Sequence, residues 1–304
     1  MKTEIETGEK NKNQQVQSFY YLASLAQQIA ETRGTNAKIK RCASYFRSIN
    51  DDEDLKLATR FLGEGAFADI SGKRASVGSR TYSTLAADIC EIDYEKVFKP
   101  SKTAVGSSSE TIEKLFTNID AAREKWSSKR LSLQEIAEIY DRLYEVSTRV
   151  DKQEILKATW LQMTPLEVKY FLRIMGRGSL RIGFESKSLV SALAKAFQHK
   201  VEDVRYVHMI TGSIGKSAIL AKNDQLEKAR FSLFQPIAFM LASPVESRTV
   251  DAFNEYVAEE KFDGMRCQLH VAGQKVHIFS RDLNDITHSF PEIVEFFTSR
   301  NMPP

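Results

Sequence analysis

Apolar residues recur at three- and four-residue steps along most of this chain, the spacing typical of amphipathic helices. The first run begins at Val16 and stops at Gly34, and a second covers residues 39–48. Further runs predict helices over 51–62, 83–91, 112–119, 133–144 and 153–163, and from Thr164-Pro165 onward. No strand-like alternation is clear before residue 235, so residues 1–235 are predicted to form an all-helical block.

Local signals mark where several of these helices begin. Asp51 stands before the third run as a candidate N-cap, and Ser132 with Glu135 has the spacing of a capping box. Proline at the first helical position favours the start at Thr164-Pro165. The serine-rich stretch PSKTAVGSSSE, residues 100–110, instead predicts a surface loop.

The pattern changes after Gln235-Pro236. Residues 258–261, 266–271 and 275–280 are short and extended in pattern, and Ala272-Gly273-Gln274 predicts a hairpin turn. A helical pattern returns over 290–298. We therefore expect an α+β domain to open over 236–304, after the helical domain over 1–235.

Composition fits an ordinary globular protein, with 42% hydrophobic and 27% charged residues among 304. No apolar stretch approaches the ~18 residues of a membrane span, and residues 1–17 lack the apolar segment of a secretory signal. The three cysteines are widely spaced and odd in number. They fit neither a disulfide framework nor a metal site, which favours a reducing cytosol.

The net charge of +3 conceals an uneven distribution. Residues 165–235 hold 12 Lys and Arg against 6 Asp and Glu. A basic stretch of this kind favours a polyanionic partner, although a solvated helix face gives the same pattern.

A glycine- and arginine-rich segment lies inside this basic stretch, with the sequence GRGSLRIGF over residues 176–184. Its glycines let the backbone approach a phosphate strand closely. Arg177 and Arg181 can neutralise phosphates or enter a minor groove, and backbone contacts fix position without reading base sequence. The alternative is a flexible connection between helices with solvated arginines.

A second segment with candidate catalytic residues, EEKFDGMR over residues 259–266, precedes the predicted hairpin. Phe279-Ser280-Arg281 lies at the end of that hairpin. Lysine is an amine nucleophile once it is deprotonated, and the glycine at position 264 allows a tight turn beside a bound nucleotide. The alternative for the first segment is a surface turn next to a salt bridge.

Together these segments resemble those of the ATP-dependent DNA ligases. The KxDGxR arrangement at Lys261 is similar to motif I of the covalent nucleotidyltransferases, which include DNA ligases, RNA ligases and mRNA-capping enzymes. The LRIG sequence at residues 180–183 is similar to a loop in the helical DNA-binding domain of the cellular enzymes. PIAFMLA, residues 236–242, resembles the Pro-x-x-x-Met-Leu-Ala entry to the nucleotidyltransferase domain.

The resemblance implies a role for each residue of the hairpin segment. Lys261 attacks the α-phosphate of ATP and forms lysyl-AMP, Glu259 hydrogen-bonds the adenine amino group, and Arg266 contacts the ribose. Arg281 reaches the ribose or a phosphate. AMP then passes to the 5′-phosphate of a nick in duplex DNA, and the 3′-hydroxyl displaces it, with Mg2+ offsetting phosphate charge.

The expected fold is a mostly α N-terminal DNA-binding domain, followed by the truncated start of an α+β nucleotidyltransferase (ATP-grasp-like ligase adenylation) domain. The resemblance and the glycine-rich segment imply DNA contacts at Arg177, Gly178 and Arg181, and Lys216 in a later polar segment is a further candidate DNA contact. We expect an intracellular monomer of the cytoplasm or nucleoid, with no membrane association, that acts in DNA repair, replication or recombination. The family's later motifs and its oligonucleotide-binding-fold domain do not follow, which suggests a fragment.

Three alternatives to a DNA ligase remain open from the sequence. The chain could clamp nicked DNA without completing ligation, or it could be an RNA ligase or capping-type nucleotidyltransferase. It could also be an inert fragment that does not fold beyond about residue 235. The helical domain argues against the RNA-directed enzymes, because capping enzymes and many RNA ligases lack it.

Two further patterns carry less weight. TGSIGKS, residues 211–217, ends like a phosphate-binding P-loop, but Ile210 stands where that motif needs its first glycine. We interpret it as a polar loop between helices, with Lys216 as a candidate phosphate contact. The five histidines show no metal-ligand spacing, and no Ser/His/Asp set is evident.

Overall fold

A computed structural model of the chain describes residues 18–68, 71–127, 130–176, 180–237, 257 and 259–300. The chain divides into two compact units. The helical unit comprises Met1–His208 and Ser213–Ala229, and the hairpin unit comprises Met209–Gly212 and Arg230–Pro304. The predicted domain boundary between residues 235 and 236 stays a prediction.

The described residues up to 229 are mostly helical, as the hydrophobic spacing predicts. The helices are α1 Phe19–Glu31, α2 Thr35–Ser48, α3 Asp52–Gly63, α4 Ser79–Ile89, α5 Lys99–Val105, α6 Ser108–Asn118, α7 Asp120–Arg123, α8 Leu133–Glu145, α9 Arg149–Trp160, α10 Pro165–Met175, α11 Ser186–Phe197, α12 Val201–Thr211 and α13 Ile214–Lys222. The described residues up to 229 also contain a π-helical turn over Tyr94–Phe98 and a 3-10 turn over Leu226–Lys228.

Side-chain caps fix several helix starts where the sequence predicts them. The Asp51 carboxylate accepts a hydrogen bond from the amide of Asp54 at 2.9 Å. Ser132 and Glu135 form the predicted capping box, with reciprocal hydrogen bonds of 2.8 and 3.1 Å. A second capping box begins α10, where Thr164 pairs with Glu167. These bonds satisfy amide groups that a helix start otherwise leaves without partners.

Helix α10 forms the centre of the helical unit, and every residue from Glu167 to Met175 is buried. It packs against α1 and α6. Tyr140 of α8 stacks on Phe171 with ring centroids 4.6 Å apart, and its hydroxyl donates to the Phe171 carbonyl at 2.9 Å. Buried aromatic pairs of this kind stabilise a core beyond their area alone.

The hairpin unit contains the antiparallel strands β1 Cys267–Ala272 and β2 Lys275–Ser280. Ala272 pairs with Lys275, so Gly273 and Gln274 form a two-residue turn, with Gly273 at φ 57°. A 3-10 turn over Thr287–Ser289 and helix α14 Pro291–Thr298 follow. The hairpin, its turn and the final helix are confirmed.

Three sequence predictions are wrong. Residues 100–110 are not a loop, because α5 covers Lys99–Val105 and α6 begins at Ser108. Pro100 lies in the first turn of α5, where its missing amide hydrogen costs little, and Gly106 ends the helix at φ 78°. Serine is a preferred N-cap residue as well as a loop residue, so composition alone could not distinguish a helix start from a loop here.

The second error is the extended segment at 258–261. Ala258 lies outside the described residues, and residues 259–261 belong to no strand. In the described part of the hairpin unit, β1 and β2 pair with each other and no third strand supplies hydrogen bonds. The third error, the polar loop at 211–217, concerns a candidate site and is corrected below.

Two expectations about the chain as a whole can also be compared with the structure. Cys42, Cys90 and Cys267 are free thiols, the first two buried and the third exposed. Within the described ranges, no helix is both long and apolar enough to cross a bilayer.

Candidate functional site

In the connection between α10 and α11, buried and exposed residues alternate, and Arg181 is one of the exposed residues. Leu180, Ile182 and Phe184 are 7%, 2% and 5% exposed, whereas Arg181 and Gly183 are exposed. The three apolar side chains anchor the segment in the core and leave the arginine outside. Arg177 and Gly178 lie outside the described residues, so their predicted DNA contacts stay predictions.

The exposed Arg181 has an unusual backbone conformation. Its φ is 55°, in the left-handed region, which costs a non-glycine residue roughly 1–2 kcal/mol. Such a conformation persists only where neighbouring contacts impose it. One such contact comes from Arg173 of α10, whose Nη1 donates to the Leu180 carbonyl at 2.9 Å. The Arg173 guanidinium is in turn ion-paired with Glu110.

Lys216 is exposed on the first turn of α13, on a different element from Arg181. The predicted polar loop at 211–217 is wrong here, because α12 runs to Thr211 and α13 starts at Ile214. Ser213 caps α13, and the Ile214 amide donates to a carboxylate oxygen of Glu64 at 2.6 Å.

The same geometry excludes a P-loop at this position. A helix precedes the segment instead of a strand, and the Glu64 carboxylate occupies the helix start where a phosphate would bind. Gly215 serves a packing role. A Cβ there would lie 2.8 Å from Cγ and 3.2 Å from the carbonyl oxygen of Lys56, so the glycine lets α13 approach α3 closely.

In the hairpin unit, the strand register brings two predicted site residues to one end. Cys267 pairs with Ser280 as the last pair of the ladder. Arg266 directly precedes Cys267 and Arg281 directly follows Ser280, so both arginines leave the same open end of the hairpin. Both are exposed, and each makes an interaction with neighbouring groups.

Lys261 and Glu259 lie on the segment that leads into this open end. Both side chains are exposed, as is the neighbouring Phe262, at 86%. Only four residues separate Lys261 from Arg266, which keeps the lysine near the arginine end of the hairpin. The strand register thus brings Arg266 and Arg281 to one end of the two-stranded hairpin, and the segment that carries Lys261 leads into that end.

The chain after Arg281 folds back on β2 and fixes this end. The Ser280 amide donates to the Asn284 carbonyl at 2.9 Å, and Asp285 forms a bridge with Phe279. Asp285 also accepts from Nδ1 of His277 at 2.8 Å and from Thr287. Burial tends to raise the pKa of Asp285, but these hydrogen bonds outweigh it and hold that pKa below its usual value.

Residues 230–237 pack across the hairpin through contacts that the sequence pattern does not reveal. The side-chain amide of Gln268 on β1 pairs with both backbone groups of Ile237, at 3.0 and 2.5 Å. The Phe234 amide donates to Nδ1 of His270 at 3.0 Å. Burial, and then the nearby His277, lower the pKa of His270. Gln268 and His270 belong to no motif, so only the folded chain identifies their contacts.

Neither unit shows a protein-built metal centre in its described residues. No group of three or more His, Cys, Asp or Glu side chains converges there. Arg181, Arg266 and Arg281 are exposed cationic side chains, which suit phosphate-bearing partners.

Comparison with known proteins identifies the family of both segments. The sequence profile described as DNA ligase N terminus matches residues 18–194, and that described as ATP dependent DNA ligase domain matches residues 239–303. The first match covers more than half of the chain.

Individual relatives point the same way. A probable DNA ligase of Koribacter versatilis is 33% identical over 276 residues, covering 90% of this chain and 46% of that protein. DNA ligases of Methanoculleus marisnigri and Methanothrix thermoacetophila are 27% and 30% identical, covering 90% and 91% of this chain. The chain spans about half the length of these curated relatives. Its helical fold, its hairpin with the motif at Lys261 and these matches agree, and the chain belongs to the ATP-dependent DNA ligase family.

Proposed function

We propose that this chain functions in ATP-dependent DNA ligation, joining a 3′-hydroxyl to a 5′-phosphate at a nick in duplex DNA. The observation that carries the proposal is the hairpin register. It puts Arg266 and Arg281 at the end of the hairpin that the Lys261 segment enters, within the matched ligase domain. A helical unit matched to the ligase N terminus precedes it and supports a DNA substrate.

The reaction begins at Lys261. Its deprotonated Nζ attacks the α-phosphorus of ATP, a P–N bond forms, and the bond from that phosphorus to the pyrophosphate oxygen breaks. AMP then passes from the lysine to the 5′-phosphate of the nick. Attack by the 3′-hydroxyl on that phosphate forms the new phosphodiester and releases AMP.

The neighbouring side chains hold the nucleotide during the first step. Glu259 accepts a hydrogen bond from the adenine amino group, Arg266 contacts the ribose, and Arg281 contacts the ribose or a phosphate. Their exposure leaves these groups accessible to a ligand. No side-chain group among the described residues would hold Mg2+ by itself; bound through the triphosphate oxygens, the ion would neutralise charge on the leaving pyrophosphate.

The helical unit supplies binding to duplex DNA. Arg177, Gly178, Arg181 and Lys216 contact the phosphate backbone, which suits an enzyme that must accept a nick in any base sequence. The protein acts as a monomer, with nicked duplex as its partner.

Transfer of label from α-labelled ATP to the protein in the presence of Mg2+ tests the proposal. Lys261→Ala is compared with the wild type and with Lys275→Ala, which removes a lysine from the turn end of the same hairpin. We expect label on the wild type and on Lys275→Ala, stable to denaturation, and none on Lys261→Ala.

Two other outcomes would change the proposal. Label that persists on Lys261→Ala contradicts the assigned nucleophile. No label on any of the three proteins, combined with retained binding of nicked duplex, favours a role in clamping DNA without adenylation.

A further inference from the structure

The backbone around Arg181 is held by a second cation, from a helix far away in sequence. Lys38 of α2 donates from Nζ to the carbonyl oxygen of Ile182 at 2.6 Å and to that of Gly183 at 3.2 Å. Arg173 donates to the Leu180 carbonyl on the other side of Arg181. Cationic side chains therefore hold the carbonyls on both sides of Arg181.

The Lys38 contacts lie where the backbone has two left-handed residues. Arg181 and Gly183 have φ values of 55° and 59°, and Ile182 between them is buried. A left-handed non-glycine residue relaxes to other conformations unless its surroundings prevent it. The fit at Gly183 is close, because a Cβ there would lie 2.8 Å from the Lys38 Nζ.

The ammonium also changes the charge that the loop presents. Carbonyl oxygens carry partial negative charge and repel a phosphate group. With Lys38 bound to two of them, that partial negative charge is offset beside Arg181. A loop already fixed in this form loses less conformational freedom when it binds.

We propose that Lys38 is a positioning residue for DNA binding, which holds the 180–183 loop so that Arg181 meets the phosphate backbone. The inference rests on the proposed function of Arg181 as a DNA contact. Lys38 acts through the loop carbonyls, and Arg173 fixes the other side of the loop from within the core.

The test measures Kd for a fluorescein-labelled nicked duplex by anisotropy, as a function of salt concentration. The variants are Arg181→Ala, Lys38→Met, their combination, and Lys38→Arg. Lys40→Met is the matched control, because it removes the same charge from an exposed position of the same helix.

One phosphate contact releases about 0.9 counterion, which corresponds to about fivefold in Kd at ~0.15 M salt. We therefore expect Arg181→Ala to weaken binding about fivefold and Lys38→Met to weaken it by roughly three- to fivefold. In the Arg181→Ala background, Lys38→Met has no further effect. Lys38→Arg restores most of the loss, since a guanidinium can donate to the same carbonyls.

Proteolysis gives a readout of loop position that does not depend on DNA. Trypsin cleaves after Arg181 when the loop is released, and Lys38→Met and Lys40→Met each remove one lysine site from α2. We expect cleavage between Arg181 and Ile182 to be about tenfold faster in Lys38→Met than in Lys40→Met, with the same urea unfolding midpoint for both.

The outcomes separate this inference from the proposed function. Unchanged Kd in Arg181→Ala overturns the DNA contact itself, and the positioning role with it. A loss in Arg181→Ala with no loss in Lys38→Met overturns positioning alone. Additive losses in the double variant also overturn it, because they mean that Lys38 contacts DNA directly.

Discussion

The buried ion pair between Lys169 and Glu113 gives a stability prediction whose magnitude depends on which partner is removed. Lys169 Nζ lies 2.8 Å from one carboxylate oxygen of Glu113 and 3.0 Å from the other, and also donates to Gln27 at 2.8 Å. The lysine side chain is 8% exposed and the glutamate side chain 23%. The carboxylate can therefore reach water if it loses its partner, whereas the ammonium cannot.

The magnitudes follow from this difference in exposure. A charge separation of 2.8 Å gives roughly 6 kcal/mol of attraction at an effective dielectric constant of ~20, most of which offsets the desolvation of the ammonium. Glu113→Gln leaves that ammonium buried without a counter-charge, and we expect it to lower the free energy of unfolding by about 3 kcal/mol. Lys169→Met fills similar volume and lets Glu113 hydrate, so we expect a loss of about 1 kcal/mol.

Urea unfolding followed by tryptophan fluorescence measures these changes in the right part of the chain. Both tryptophans, Trp126 and Trp160, belong to the helical unit, so the signal does not report on the hairpin unit. With a slope of ~2–3 kcal/mol per M, Glu113→Gln should lower the urea midpoint by about 1 M or more, and Lys169→Met by less than half as much.

The stability of the double variant tests whether the buried ammonium dominates. Lys169→Met combined with Glu113→Gln buries no lone charge, so it should be more stable than Glu113→Gln alone. Equal losses in the two single variants, a larger loss in Lys169→Met, or strictly additive losses would refute the argument that the buried ammonium dominates.

Three further predictions concern a carboxyl group, a helix contact and the thiols. Burial, with nearby carboxylates, raises the pKa of Asp54 to about 6, so its ionisation destabilises the fold as pH rises from about 4 to 7. Asp54→Asn should therefore raise stability at pH 7.5 by about 1–2 kcal/mol after discounting for solvent screening, with no gain at pH 4, by urea unfolding at both pH values. Gly215→Ala should cost about 1–3 kcal/mol by thermal unfolding, because its Cβ would lie 2.8 Å from Lys56 Cγ, whereas an unchanged midpoint would mean that the helices separate freely. A thiol reagent should modify Cys267 rapidly and the two buried cysteines only after denaturation, and rapid modification of more than one thiol in the folded protein would contradict the burial assigned to them.

The local structure that sequence predicts well is that governed by neighbours along the chain. The capping box at Ser132, the helix start at Thr164-Pro165 and the turn at Gly273 depend on residues within three positions of one another. The prediction of a loop over residues 100–110 was wrong, because serine and glycine occur at helix ends as well as in loops.

What sequence could not supply is contact between distant segments. Lys38 and Ile182 are 144 positions apart, and Lys169 and Glu113 are 56 apart. Nothing in either local pattern indicates its partner, so the support of Arg181 became evident only in the fold. Gly215 makes the same point, since its sequence suggests phosphate binding while its neighbours show helix packing.

The hairpin that gathers Arg266 and Arg281 is also a spacer of known length. Its strands are six residues each, so the two-residue turn lies roughly 20 Å from the arginine end. A dye attached at Gln274, which is exposed, would sit outside the reach of a bound nucleotide while remaining rigidly connected to its platform. The turn is thus a natural place for a reporter of motion in this unit, and for an inserted tag that leaves the chemistry undisturbed.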